Sequence, residues 1–337
     1  MDTMTRNRIR GCAIGAAVGD ALGMPLEGSW RQPVDRLVRD MRAGRLPAGT
    51  ITDDTEIALA LAESLLTRRP LDPVDLAQRF AAWFRAGPDD IGNQTYAVLA
   101  RIAAGESWEE AVEAVQRRWP ESAGNGSVMR CWPVALAHWN DTAAVSQPEH
   151  GLEALLADSR LQSQVTHPHP DCVASSAFVN AAIYYLLHGM APSDAIAQAL
   201  ETVEMPEPLR AVIVAAPSRK REELANSGWV RHTLESAVWG LLNTDTFEEA
   251  LVQVVNLGGD ADSAGSVVGA LAGAAYGLDA IPLRWQQALR AEWPLRSGRI
   301  WQVDDFIALA DALAKEAGSA NCQLRDNSIP STRLLHP

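Results

Sequence analysis

Long apolar runs are missing from this 337-residue chain: no uninterrupted stretch approaches the about 18 residues of a membrane span, so no membrane-spanning helix is expected. Cysteine is scarce. The four present, Cys12, Cys131, Cys172 and Cys322, lie far apart with no CxxC or Cys/His cluster, which speaks against both a zinc site and a disulfide framework and fits a reducing cytoplasm. Basic charge is outweighed, 29 residues against 42 acidic ones, and the net charge of -13 repels phosphate backbones and anionic head groups. Neither nucleic acid nor a membrane is therefore expected as a partner. Alternating β-branched runs are nearly absent too, and Ala211 to Ala216 is the one tempting strand. Arg6, Arg8 and Arg10 ahead of the small apolar run Gly11 to Ala17 imitate a signal peptide. Asp20 interrupts that run, no A-x-A-like site follows, and Arg10 before Gly11-Cys12 spoils a lipoprotein start, so a cytoplasmic protein is expected.

What is present is globular: 47% of the residues are hydrophobic and 21% charged, enough apolar side chain for one large core. Helical periodicity recurs almost everywhere and predicts an all-α fold. Helices are expected over residues 10–22, 57–66, 74–86, 128–139, 171–188, 192–203, 230–242, 263–276 and 303–316. Ser107 with Glu110 and Thr246 with Glu249 have capping-box spacing ahead of apolar runs, and Asp53 with Glu56 offers the same start to the Ala/Leu-rich run after it. Length alone suggests about two domains. No linker long enough to divide them precedes residue 317, so a single compact domain over 6–317 is expected, followed by a polar, Pro-punctuated, mobile tail over 318–337. Gly and Ala at helical spacing in Gly11 to Gly23 and Gly265 to Gly277 would let two helix backbones approach closely. Among 11 tryptophans, Trp83, Trp108, Trp239 and Trp293 fall at helical spacing with apolar neighbours and read as core, whereas Trp229, at a loop-to-helix junction, could pack or offer a ring to a base.

Two acidic clusters sit at expected helix starts, Thr52-Asp53-Asp54-Thr55 and Gly258-Gly259-Asp260-Ala261-Asp262-Ser263. Capping explains one carboxylate at each start, since a cap position needs one acceptor. It explains four less well, because the remaining charges repel. Gly258 and Gly259 add backbone freedom, as expected where a chain wraps closely around a ligand. Carboxylates with neighbouring hydroxyls, and no suitable His or Cys, are hard ligands suited to Mg²⁺, Mn²⁺ or Ca²⁺. An EF-hand starting at Asp260 would need Glu where Leu271 stands. A DxD phosphatase would need alternating strands and helices that are missing, and an isoprenoid-cyclising enzyme lacks its third acid at Ile57 and the partners of Asn140-Asp141.

An ordered set of motifs goes further: Gly15-Ala-Ala-Val-Gly-Asp-Ala-Leu-Gly23 followed by Glu27, Thr52 to Thr55, Asp90-Ile91-Gly92-Asn93, Gly124-Asn125-Gly126-Ser127-Val128-Met129-Arg130, Thr166-His167-Pro168-His169-Pro170-Asp171, and Asn256 to Ser263. Across residues 8 to 316 the chain resembles the ADP-ribosylglycohydrolase family. That resemblance implies an all-α fold and a site for two divalent cations, Mg²⁺ or Mn²⁺, which hydrolyses the glycosidic bond between ADP-ribose and an acceptor on a modified protein. Thr52, Asp53, Asp54, Asp260, Asp262 and Ser263 match its metal-ligand positions, with Ser263 and Ala261 standing where the family pattern has Thr. Glu27 matches an acidic position near the metals, and Glu27, Asp90 and Asp262 are the catalytic candidates. Asn93, Asn125, Gly126, Ser127, Met129 and His167 are the substrate-binding candidates.

The chemistry is consistent with the residues. Two cations can grip vicinal ribose hydroxyls and lower the pKa of a bridging water, and the leaving group then needs a proton donor or stabiliser. Asp90, in an Asp-Ile-Gly-Asn context resembling the arginine-specific branch, complements a guanidinium; as a bare residue after Gly87-Pro88-Asp89 it reads equally as a loop Asp. Gly124 to Ser127 reads as a tight turn feeding a helix near Val128, whose N–H groups would hold a diphosphate, or as a plain glycine loop. His167 either bonds phosphate or ribose or is a satisfied structural residue. The function expected is release of ADP-ribose from protein arginine by a monomer. A serine conjugate, O-acetyl-ADP-ribose, or a catalytically silent ADP-ribose-binding protein remain as alternatives.

Overall fold

The computed structural model describes residues 1–140 and 148–315, so the expected tail 318–337 and Cys322 lie outside the described residues. Among the described residues fifteen helices follow one another: α1 (Thr3–Gly23), α2 (Asp53–Thr67), α3 (Pro73–Arg85), α4 (Asn93–Ala103), α5 (Trp108–Arg118), α6 (Trp132–Ala137), α7 (Pro148–Gln164), α8 (Pro170–Leu187), α9 (Pro192–Thr202), α10 (Glu207–Ala215), α11 (Val230–Leu242), α12 (Phe247–Val255), α13 (Ala261–Tyr276), α14 (Leu283–Ala288) and α15 (Val303–Leu313). Between α14 and α15, β1 (Ala291–Glu292) and β2 (Ile300–Trp301) form a small antiparallel pair. The all-α expectation holds.

Local signals account for several starts. Ser107 and Glu110 exchange both bonds of a capping box, Ser107 Oγ accepting from Glu110 N at 3.3 Å and Glu110 Oε2 from Ser107 N at 3.2 Å. Thr246 Oγ1 accepts from Glu249 N at 3.2 Å, and Asp72 Oδ1 accepts from Val74 N at 2.9 Å just before Pro73 opens α3. The tempting strand at 211–216 is instead the end of α10: Leu209 and Ile213 lie one turn apart and buried while Val214 is exposed, a one-sided helical face that outweighs the β-branched run. The helix expected over 128–139 is confined to α6, because Val128 N and Met129 N both turn back to Asn125 O, at 2.9 and 3.2 Å.

The centre of the molecule is an antiparallel pair, α1 against α13, with the most extensive contact between any two helices. Gly11, Gly15 and Gly19 face Gly273, Gly269 and Gly265, and Gly23 faces Ala261. A Cβ on Gly19 would lie 1.9 Å from Gly265 O, and one on Gly265 2.3 Å from Gly19 O, so the backbones touch and neither position admits a side chain. The small-residue segments thus meet as their spacing predicts. α1 is tied to α15 by a bidentate pair, Arg10 to Asp311 at 2.9 and 2.6 Å. Trp83, Trp239 and Trp293 are buried, and Trp108 packs partly buried against the core. Cys12, Cys131 and Cys172 are buried free thiols. Among the described residues no helix is long and apolar enough to cross a membrane.

Because α1 and α13 run antiparallel in tight register, the last turn of α1 and the first turn of α13 end side by side. Asp20 and Asp262 are thereby delivered to one end of the core, where α2 also begins.

Candidate active site

The start of α2 is not held by Asp53 and Glu56, as the spacing suggests. Thr52 is its N-cap residue and makes no side-chain cap bond, while Glu56 Oε2 accepts from Trp83 Nε1 at 2.9 Å. The acceptor comes from 32 residues earlier. Asp20, fully buried, takes Thr52 N on both carboxylate oxygens at 3.0 Å, Thr52 Oγ1 at 2.9 Å, Thr55 N at 3.1 Å and Thr55 Oγ1 at 2.5 Å. A helix N-terminus needs such acceptors, and Asp20 satisfies two of its N–H groups at once. Burial pushes Asp20 up to about 6 despite those bonds. With Asp20 supplying the cap, Asp53 and Asp54 are left pointing outward.

They point into a cavity of about 320 Å³ lined by both acidic clusters together with Glu27, Asp90, Asn93, Gln94, Asn125, Gly126, Met129 and His167. Of the residues expected in the site, only Thr52 and Ser127 do not line it. Thr52 Oγ1 lies beneath, within 3.1 Å of Asp54 Oδ2, and Ser127 Oγ is buried behind the wall against Ser163 Oγ at 2.8 Å. Asp260, the N-cap residue of α13, accepts from Asn125 Nδ2 at 2.9 Å, which couples the acidic floor to the glycine loop. Gly258 and Gly259 have positive φ values of 71° and 62°. Both also pack tightly against protein: a Cβ on Gly258 would lie 2.3 Å from Ser29 O, and one on Gly259 1.7 Å from Asn226 O.

The floor is electrostatically frustrated. Burial first, and neighbouring carboxylates second, push Asp53, Asp54 and Asp262 well above the usual carboxylate range; the neighbours are Asp90 for Asp53, Asp262 for Asp54 and Asp260 for Asp262. Asp54 Oδ1 is buried with no hydrogen-bond partner among the described residues. Oxygen donors that repel one another, one of them orphaned, fit a divalent cation of the Mg²⁺ or Mn²⁺ kind, whose charge removes both defects.

At the rim, donor atoms of Glu27, Asp90 and Asp262 lie within 4.8 Å of one another. Arg45 fills the space between them: its Nε donates to Glu27 Oε2 at 3.0 Å, its Nη2 bonds Asp90 Oδ2 and lies 3.6 Å from Asp262 Oδ2. The segment from Glu27 to Thr52 is irregular apart from local turns, and no periodic signal announces Arg45. The opposite wall is neutral. Gly126 lets the ring lie close, because a Cβ there would lie 2.8 Å from His167 Cε1 and would have to displace it. Burial, with Arg130 behind it, drives His167 down to about 3, so its imidazole is uncharged. Trp229, 40% exposed, packs edge-on against His232 at 4.8 Å and lies under the Arg231 guanidinium.

A helical scaffold that spends its closest packing on bringing two acidic helix starts into one polar cavity defines a hydrolase of the all-α type. The chain belongs to the ADP-ribosylglycohydrolase family, whose model matches residues 1–322, and it is a glycosidic-bond hydrolase. It is 35% identical over 298 residues to the ADP-ribosylarginine hydrolase Tri1 of Serratia proteamaculans, covering 84% of this chain and 75% of that protein. To the ADP-ribosyl-(dinitrogen reductase) glycohydrolase of Rhodospirillum rubrum it is 33% identical over 313 residues, covering 90% and 97%. A solved structure titled "ADP-ribosylglycohydrolase-related protein complex" superposes with a TM-score of 0.75 at 35% identity, covering 93% of this chain and 99% of that one.

Proposed function

We propose that this protein hydrolyses the N-glycosidic bond between ADP-ribose and an arginine side chain of a modified protein, releasing ADP-ribose. The observation that carries the linkage is Arg45: the rim carboxylates Asp90 and Glu27 already grip a guanidinium, the group an arginine conjugate would present. Arg45 stands on an irregular segment with its side chain 34% exposed, so it can swing out as the substrate enters. The relative named as an ADP-ribosylarginine hydrolase supports the same linkage.

Asp53, Asp54, Asp260 and Asp262, with the hydroxyls of Thr52 and Ser263, would hold two divalent cations. When bound, these would lower the pKa of a water and grip ribose hydroxyls. The chain's own residues do the rest. Asp90 and Glu27 orient the leaving guanidine and pass it a proton, so that the glycosidic C–N bond breaks, a C–O bond to water forms, and the proton of that water ends on nitrogen. Asn125 and Gly126 face the diphosphate, with Met129 beneath and Asn93 beside Asp90. An adjoining cavity of about 680 Å³ shares Asn93, Gln94 and Ser122 with the first and carries Trp119 under the Arg118 guanidinium at 5.3 Å, a suitable wall for the adenosine half of the ligand. The protein acts as a cytoplasmic monomer through one domain over 6–317.

The test is a release assay on arginine-linked, serine-linked and O-acetyl ADP-ribose in parallel, with EDTA and then with Mg²⁺ or Mn²⁺ restored. Metal-dependent release from arginine alone is expected. Preference for serine or the ester would select the rival substrate class, and binding of ADP-ribose without turnover would select a silent binder.

A further inference from the structure

Behind His167 sits a buried cation that, among the described residues, no carboxylate contacts. Arg130 is fully buried, and among the described residues it forms no ion pair. Its Nε donates to Gln162 Oε1 at 3.1 Å, and its Nη2 donates to Gln162 O at 2.9 Å and to Thr166 Oγ1 at 2.8 Å. Nη1 has no hydrogen-bond partner among the described residues, and the guanidinium lies over the Phe80 ring at 4.5 Å. A buried guanidinium that makes no ion pair and feels Asp53 only from a distance is costly, so its position invites a functional reason.

The reason lies one atom further on. Thr166 Oγ1 is 2.8 Å from His167 Nδ1. A hydroxyl has one hydrogen and two lone pairs. Arg130 can only donate, so it occupies a lone pair of Thr166, and the hydroxyl hydrogen is left to point at the one acceptor available, Nδ1. Were Nδ1 protonated, two donors would converge on Thr166 and its own hydrogen would be stranded without an acceptor in a buried site. The neighbours leave Thr166 and His167 little freedom: Thr166 O accepts from Gln94 Nε2 at 2.8 Å, His167 N donates to Ser163 O at 2.7 Å, and His167 O accepts from Ser163 Oγ at 2.9 Å.

We infer that Arg130 and Thr166 are positioning residues that hold His167 in the Nε2–H tautomer, so that a neutral ring presents one N–H from the cavity wall, beside Gly124 and Gly126, to an oxygen of the ADP-ribosyl group. Hydrogen bonds of this kind select tautomers elsewhere, and a neutral donor binds an oxygen without adding a charge that would draw Asp53 or Asp260 away from their task. The ligand named here rests on the proposed function, whereas the tautomer is a property of the free protein.

The experiment is two-bond ¹H–¹⁵N correlation on protein labelled at histidine, with His167 assigned by the resonance lost in His167→Gln. Wild type is expected to show protonated Nε2 and bare Nδ1. Thr166→Val, which keeps the shape and removes the hydroxyl, is expected to give a mixed tautomer and to weaken ADP-ribose binding and raise KM about tenfold, the equivalent of one lost hydrogen bond, with kcat within about twofold. Thr166→Ser should restore both. An Nδ1–H or doubly protonated ring in wild type, or a Thr166→Val protein with wild-type tautomer and affinity, would overturn the inference. Should Thr166→Val not fold, the wild-type and Thr166→Ser spectra still decide. A protein inactive on arginine conjugates with the expected tautomer would refute the substrate and leave this relay standing.

Discussion

Asp20→Asn perturbs the residue that organises the floor without replacing any of its proposed ligands. An amide keeps one acceptor oxygen, and its NH₂ then faces N–H and hydroxyl donors, so about two of the charge-assisted bonds from Thr52 and Thr55 are lost. At about 1.5–3 kcal/mol each, that costs about 3–6 kcal/mol. Against it stands relief of the floor, because the Asp20 charge is among those that push Asp53, Asp54 and Asp262 up. Metal-free protein should therefore lose less than that. With cations bound, the floor is neutralised, the relief disappears, and the full cost is felt. The thermodynamic cycle converts the difference between the two losses into weaker metal binding, about tenfold for each 1.4 kcal/mol. Denaturant unfolding of both proteins with EDTA and with saturating Mn²⁺, together with calorimetric Mn²⁺ titration, measures every leg. A stability gap that stays constant or narrows when Mn²⁺ is added would refute the reasoning.

Three further outcomes are expected. Gly19→Ala places a methyl 1.9 Å from Gly265 O, backbone against backbone, and should destabilise by about 3 kcal/mol in denaturant unfolding because neither helix can yield locally; a loss within about 0.5 kcal/mol would mean that α1 and α13 slide apart at little cost. In metal-free protein Asp53, Asp54, Asp262 and Glu56, the last at about 7, titrate above their unfolded values, so stability is lost as pH rises through those values. The melting temperature in EDTA should climb as pH falls from about 8 to about 6.5, below which His167, depressed to about 3, works the other way; a melting temperature that falls across that window contradicts the repelling floor. Arg45→Ala removes the internal guanidinium and should lower KM for an arginine conjugate about fivefold, the worth of about 1 kcal/mol for a partly exposed ion pair, whereas an unchanged KM would show that Arg45 does not compete for the rim.

What the sequence reveals of this molecule follows the range of the interactions involved. Capping at Ser107 and Thr246 is legible because cap and acceptor lie three residues apart. The α1–α13 contact is legible because four-residue glycine spacing has one structural use at that density. The cap of α2 is not, since Asp20 is 32 residues from Thr52 and its acceptor role exists only once α1 has packed; local grammar assigned that role to Asp53. The run Val212-Ile213-Val214 misleads because β-branching reports a local preference, while Leu209 and Ile213 bury a helical face against neighbours that sequence does not show. The acidic clusters and the glycine loop announce themselves by composition. Arg45 does not, because an arginine on an irregular segment carries no period, and the relay through Arg130 and Thr166 needs three residues that meet only in the fold.

Asp90→Asn tests the substrate assignment most directly. Wild type and variant are compared for release of ADP-ribose from arginine-linked and serine-linked protein at saturating Mg²⁺ or Mn²⁺, with ADP-ribose affinity measured in parallel by calorimetry. The amide cannot pair with a guanidinium or relay a proton, so arginine-linked turnover should fall about 10²-fold or more while the ADP-ribose Kd stays within about twofold. Undiminished arginine-linked turnover in the variant, or equal wild-type activity on the two linkages, would contradict the account.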